Sequence, residues 1–317
     1  AGVFLAPNYF SDLSVEGKPL SADASLTANL RNTLYNNVYN HFMAGVEIGT
    51  EGNRGEGIRF DPLRPTLEML RMRTRSFSSI PFVHQYTAFT EDKVTFHSGK
   101  MRTELQLGVR LTKLQTKALH YAPAADPRIN VRQILVERKD DAMLKHLSIR
   151  AGWGLMHKMP VLAYLYPDKS YTDQNCFTYN DIENGERLTV MHTFVTSRTF
   201  NPDLRLPVNR KFELGLNLRL GQMTADVVWF REHLRNGFST TEQAEPFTYR
   251  RYDQLIGRGE HPELTSDGIV NNGKPLSYTT HATFATYTSP ENGIEQLKQG
   301  IEYTLDVGHC NPLHTSL

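Results

Sequence analysis

The sequence predicts an all-β chain, an antiparallel up-and-down transmembrane β-barrel of which roughly ten strands are present. Strand-period alternation runs on for about twice the length of an average soluble strand, and it recurs along the whole chain. The connections between these runs are long and tight by turns, as expected where long loops lie on one side of a membrane and short turns on the other.

Residues 201–220, NPDLRLPVNRKFELGLNLRL, show the pattern most clearly. Phe212, Leu214, Leu216, Leu218 and Leu220 share one face of an extended chain, and Lys211, Glu213, Gly215, Asn217 and Arg219 share the other. One face is wholly apolar and the other carries ions of both signs, which suits lipid outside and a wet lumen inside.

Taken in order, residues 24–31 set Ala24, Leu26, Ala28 and Leu30 against polar neighbours, and residues 41–50 do the same with Phe42, Ala44, Val46 and Ile48. The two read as a hairpin. Residues 51–81, rich in Gly, Pro and charge, form a first long excursion. A strand over 83–92, whose buried face is ambiguous, passes a tight connection at Ser98 and Gly99 into 103–112, where Leu105, Leu107, Val109 and Leu111 alternate. A loop over 122–127 precedes a strand over 128–137. A charged turn then leads to 147–155, where Trp153 suits an interfacial aromatic belt. Residues 159–186 are a second excursion dense in aromatic rings, with a returning strand over 187–197. After 201–220, Gly221 and Gln222 make a near-minimal turn into 223–233; residues 235–296 form a third excursion, and 300–307 closes the pattern.

The chain has 317 residues, 35 basic and 34 acidic, for a formal net charge of +1, which gives no basic surplus for nucleic acid. A mean hydropathy of -0.45 argues only against helical spans, because a barrel strand offers lipid every second residue. Ala1 opens directly into AGVFLAPNYF with no charged or long apolar leader, so a processed or partial chain is expected. Cys176 and Cys310 match no metal spacing and read as unpaired, and the histidines form no HExxH. GxSxG and phosphate-loop motifs are missing too, so neither catalysis nor a cofactor is expected.

Three patches resemble the barrel of TonB-dependent outer-membrane receptors. NPDL followed by FELGLNLRL is similar to the family's loop-to-strand segment, in which Asn-Pro-x-Leu precedes Glu-x-Gly. MPVLAYLYPDKSY at 159–171 resembles the loop after a Gly-rich strand, here RAGWGL, and ENGIEQLKQGIEYTL at 291–305 resembles the entry into a later strand. HFMAGVEIGTEGN and TELQLGVRLT fit as well. The resemblance implies location in the bacterial outer membrane, with lipid around the barrel. It implies active uptake of a bulky nutrient ligand (an iron chelate, cobalamin or an oligosaccharide), driven by TonB through a plug domain. In the glycan-uptake branch a surface lipoprotein is a further partner. No plug domain is recognised in residues 1–317, and Leu317 stands where a finished barrel has an aromatic, so part of a longer barrel is expected.

Lumen-facing candidates are Glu47, Glu104, Arg110, Arg150, Glu213 and Arg219, which either pair across strands or meet a plug or ligand. Candidates for ligand contact in the loops are Tyr164, Tyr166, Tyr171, Tyr249 and Arg250; the alternative for such rings is that they pack the loops. The competing fold is a soluble, secreted β-sandwich serving as a carbohydrate-binding module, whose apolar strand faces would be covered by a second sheet.

Overall fold

Nine antiparallel strands form a single sheet in the computed structural model, which describes residues 13–35, 37–60, 73–139, 141–181, 185–257, 260–310 and 315–316. In chain order the strands are β1 (Leu13–Glu16), β2 (Pro19–Tyr35), β3 (Val38–Asn53), β4 (Gly57–Phe60), β5 (Val83–Ser98), β6 (Met101–Gln115), β7 (Ala124–Glu137), β8 (Leu144–His157), β9 (Ser170–Asp181), β10 (Glu186–Thr196), β11 (Val208–Leu220), β12 (Met223–Tyr252), β13 (Pro262–Thr265), β14 (Gly268–Asn271), β15 (Lys274–Pro275) and β16 (Tyr278–Asp306). The sheet order is β16-β12-β11-β8-β7-β6-β5-β3-β2, an up-and-down meander whose edges, β2 and β16, have no neighbour among the described residues.

The connections sort by side. Those at 36–37, 99–100, 138–143 and 221–222 are short and share one rim, while those at 54–82, 116–123, 158–207 and 253–277 are longer and share the other.

Alternation places the apolar residues on one face, and that face is bare. Leu26 is 73% exposed, Leu214 46% and Ile301 67%, values expected of side chains with lipid as their solvent. In one rung Leu105, Val131, Ala151, Leu214, Trp229 and Ile301 stand opposite one another in sequence across six strands. A β-sandwich would lay a second sheet over this face, and among the described residues none lies there. The sandwich alternative therefore fails.

A second rung, through Leu30, Phe42, Asp92, Leu107, Ile129, Trp153 and Phe212, shows how the strands tilt. On β2 the apolar run at 24–30 lies on the long-loop side of this rung; on β11 the run at 212–220 lies on the turn side. The belt thus slides by about one residue per strand. A rise of about 3.4 Å against a strand spacing of about 4.8 Å corresponds to a tilt of about 35°, the inclination that barrel closure requires.

Three expectations change. The strand expected over 187–197 exists as β10 but is not part of the wall; it pairs with β9, inside the second excursion, so the wall has nine strands among the described residues where roughly ten were expected. The third excursion is largely strand: β12 and β16 run past the wall and stay paired up to Tyr252 and Tyr278, with β13–β15 at the tip. Thr and aromatic residues favour that extension, but the mixed polar sequence hides it. On β5, Ala88 stands between Val46 and Leu111, which assigns the ambiguous strand's apolar face.

Candidate functional site

The polar face of the wall is a lattice of paired charges. Glu47 pairs with Arg110, which also lies 5.7 Å from the Phe89 ring. Glu104 lies 3.2 Å from both Lys93 and Arg102, and Arg102 also reaches Glu137 at 3.1 Å. Arg150 donates to both carboxylate oxygens of Asp226 at 2.8 and 2.7 Å, and the Asn217 amide donates to the same carboxylate at 3.1 Å. Glu213 accepts Lys211 at 2.6 Å, and Lys211 reaches across to Glu232 at 3.3 Å. Arg219, opposite His146 and Thr224 near the short-turn rim, has no carboxylate partner among the described residues. Strand alternation thus brings five of the six wall candidates into ion pairs, four of them reaching a neighbouring or next-but-one strand.

Above the wall the loops pack into two layers. In the first, Leu165 from the single helical turn α1 (Leu162–Leu165) is buried with Val83, Leu114 and Tyr121. The Tyr166 hydroxyl bonds Thr116 Oγ1 at 2.8 Å and accepts from the Lys117 backbone N–H at 3.0 Å, while its carbonyl accepts from Arg75 at 2.5 Å. Burial pushes the Tyr121 phenol up to about 12, and its hydroxyl has no hydrogen-bond partner among the described residues. Tyr164 packs on Phe238 with ring centroids 5.3 Å apart. The Arg73 guanidinium lies 4.9 Å from the Tyr171 ring and donates to both oxygens of Asp173 at 2.8 Å. Tyr164, Tyr166 and Tyr171 therefore hold loops to one another. Beneath this layer a cavity of about 550 Å³ opens on the polar face, lined by Asp23, Glu47, Glu51 and Gln85 and closed above by Met159 and Pro160.

In the second layer, the β9–β10 hairpin packs on the projecting β12–β16 ribbon around buried Phe177, Tyr252 and Ile269. Phe247 is the centre of an aromatic series: Phe194 and His192 stack on it at 4.6 and 5.9 Å, Tyr249 lies 6.3 Å away, and His281 lies 5.8 Å beyond Tyr249. Beside them is a cavity of about 470 Å³ lined by Met191, His192, Tyr249, Arg250 and Cys176. Arg250 stacks 4.6 Å from the Tyr278 ring and has no carboxylate partner among the described residues. Cys176 is free and buried; burial raises its thiol pKa, opposed by a backbone hydrogen bond at His192, and the Cys310 side chain lies outside the described ones. Of the five loop candidates, Tyr249 and Arg250 line this cavity. Sequence reading missed His192, Phe194, Phe247 and His281, whose only signal is the every-second-residue spacing of His192 with Phe194 and of Phe247 with Tyr249.

Among the described residues no three His, Cys, Asp or Glu side chains gather to hold a metal. Flat ring faces, imidazoles and a guanidinium beside a cavity favour holding a planar or anionic solute by stacking and charge.

Comparison with known proteins agrees with this geometry. No curated protein sequence matches the chain. Two solved structures are similar in fold: the siderophore receptor PirA from Pseudomonas aeruginosa, 17% identical with a TM-score of 0.50, and the siderophore receptor PirA from Acinetobacter baumannii, 15% identical with a TM-score of 0.49. Each covers 92% of this chain, which in turn spans 40% and 34% of their lengths. The family model described as "TonB dependent receptor-like, beta-barrel" matches residues 3–296. The chain belongs to the TonB-dependent receptor β-barrel family.

Proposed function

We propose that this chain is the barrel part of an outer-membrane receptor that takes up a bulky nutrient, with TonB acting through a plug domain carried elsewhere in the same polypeptide. The observation that carries the reading is a bare apolar belt, tilted as a barrel requires, opposite a charge-paired face. The long excursions at one rim would face outward and meet the ligand first, and the wall's ion pairs would keep the lumen polar for its passage.

Iron–siderophore complexes are the nutrient class to test first, ahead of cobalamin and oligosaccharides. The aromatic series around Phe247 and the stacked Arg250 supply ring faces and positive charge suited to anionic chelates that carry flat ring groups on their surface.

The test is uptake of radiolabelled iron chelates by cells carrying the complete receptor, by a deletion strain and by a strain lacking TonB. Accumulation that needs both genes supports the proposal. Receptor that reaches the membrane but transports no chelate, cobalamin or oligosaccharide overturns it.

A further inference from the structure

On the outward face of β12, the positions after Ala225, Val227 and Trp229 are Arg231, His233 and Arg235, and Arg210 of β11 stands directly opposite His233. The face thus changes from apolar to cationic within one strand repeat, on the long-loop side. The boundary is marked by rings: Trp153 is opposite Phe212, and Phe212 meets Trp229 edge-on at 5.8 Å. Trp and other aromatic side chains collect where hydrocarbon meets headgroups.

The cations above that boundary are poorly compensated. Glu295 lies 2.7 Å from His233 and 3.5 Å from Arg235, whereas Arg210 and Arg231 are exposed and have no carboxylate partner among the described residues. Arg210 and Arg231 are diagonal neighbours on facing strands, and like charges so placed repel. A patch of this kind is stable beside a counter-ion, and the environment at that height is lipid headgroups.

We propose that Arg210, Arg231, His233 and Arg235 bind the phosphates of an anionic lipid headgroup in the outer leaflet, while Phe212 and Trp229 receive the upper part of its acyl chains. Arginine suits this role because its planar fork of donors matches phosphate oxygens. The proposal rests on the outer-membrane reading above, but concerns the outer surface of the barrel and not the transport path.

The complete receptor would be placed in nanodiscs of phosphatidylcholine doped with diphosphoryl lipid A, and the lipid A retained after a detergent wash would be quantified by mass spectrometry. Wild-type receptor is expected to keep lipid A at low salt and lose it as salt is raised. Dephosphorylated lipid A is not expected to be kept. Arg210→Gln with Arg231→Gln is expected to cut retention roughly twenty-five-fold, from about fivefold for each arginine. Arg219→Gln, on the polar face, should leave retention unchanged. If the double variant does not assemble, the single Arg231→Gln variant and the wild-type salt titration give the same reading. Retention that ignores salt, phosphate removal and both arginines overturns the site. Displacement by millimolar inorganic phosphate as readily as by lipid A would overturn the lipid as the occupant. A receptor that transports its nutrient yet holds no phosphorylated lipid refutes this site alone, whereas a chain that never enters the membrane refutes the uptake reading too.

Discussion

Arg150 lies across Gly215 on the neighbouring strand and grips Asp226 one strand further on. A Cβ at Gly215 would come within 2.7 Å of Arg150 Nε and 2.8 Å of its Cγ, so the guanidinium reaches Asp226 only because the residue between them has no side chain. The same fit recurs where Gly45 lies beneath Phe89 and Gly108 beneath Arg128.

Gly215→Val is therefore expected to displace Arg150 and cost about 1–3 kcal/mol, through overpacking and a lost bidentate pair. Urea midpoints of the receptor refolded in micelles measure it. A Gly215→Val midpoint equal to wild type would mean that Arg150 does not depend on the gap.

Asp92 is a carboxylate within the apolar belt of the bare face. It stands between Phe42 and Leu107 with Asn40 as its hydrogen-bond donor. Asn40→Val alone should destabilise by about 1–3 kcal/mol, because it leaves a carboxylate against lipid without its partner. Asn40→Val with Asp92→Leu should recover that loss and exceed wild type by about 1 kcal/mol. Thermal unfolding in lipid vesicles checks the order of the three.

The buried Tyr121 predicts an alkaline weakness in the loop layer. Its folded-state pKa of about 12 lies above the ordinary value of 10.0, so its contribution is complete below about pH 10 and is lost as pH rises through 12. Tyr121→Phe should remove this loss. It should also stabilise the layer slightly at neutral pH, since the hydroxyl it deletes has no partner among the described residues. Phenolate absorbance followed alongside unfolding reads both effects.

Cys176, 5% exposed between the β9–β10 hairpin and the ribbon, should react slowly with maleimide in the folded receptor and rapidly after denaturation. A bound ligand that clamps the hairpin should slow labelling further. Rapid labelling of the native protein would show that the two elements part readily.

The wall was legible in the sequence because lipid leaves a period-two record on every strand, and Leu214, Leu107 and Ile301 all carry it. The face of β5 was not, since Thr90 and Asp92 interrupt the apolar series there. The loop layers left little trace. Tyr166 is anchored through Thr116 and Lys117, about fifty residues away, and the Phe247 series unites three chain segments that no spacing relates. The ion pairs of the wall lie between these cases: alternation says which charges share a face, but the pairing of Arg150 with Asp226 across β11 depends on register.

The ribbon of β12 and β16 has a consequence for how the cell surface is met. Beyond Arg235 it stays paired to Tyr252, roughly 60 Å of strand at about 3.3 Å per residue. With the long-loop rim facing outward as proposed, antibodies, phage tail proteins and proteases approaching the bacterium would encounter its tip before any headgroup, so turnover of the β13–β15 sequence among strains should outpace that of the strands beneath it.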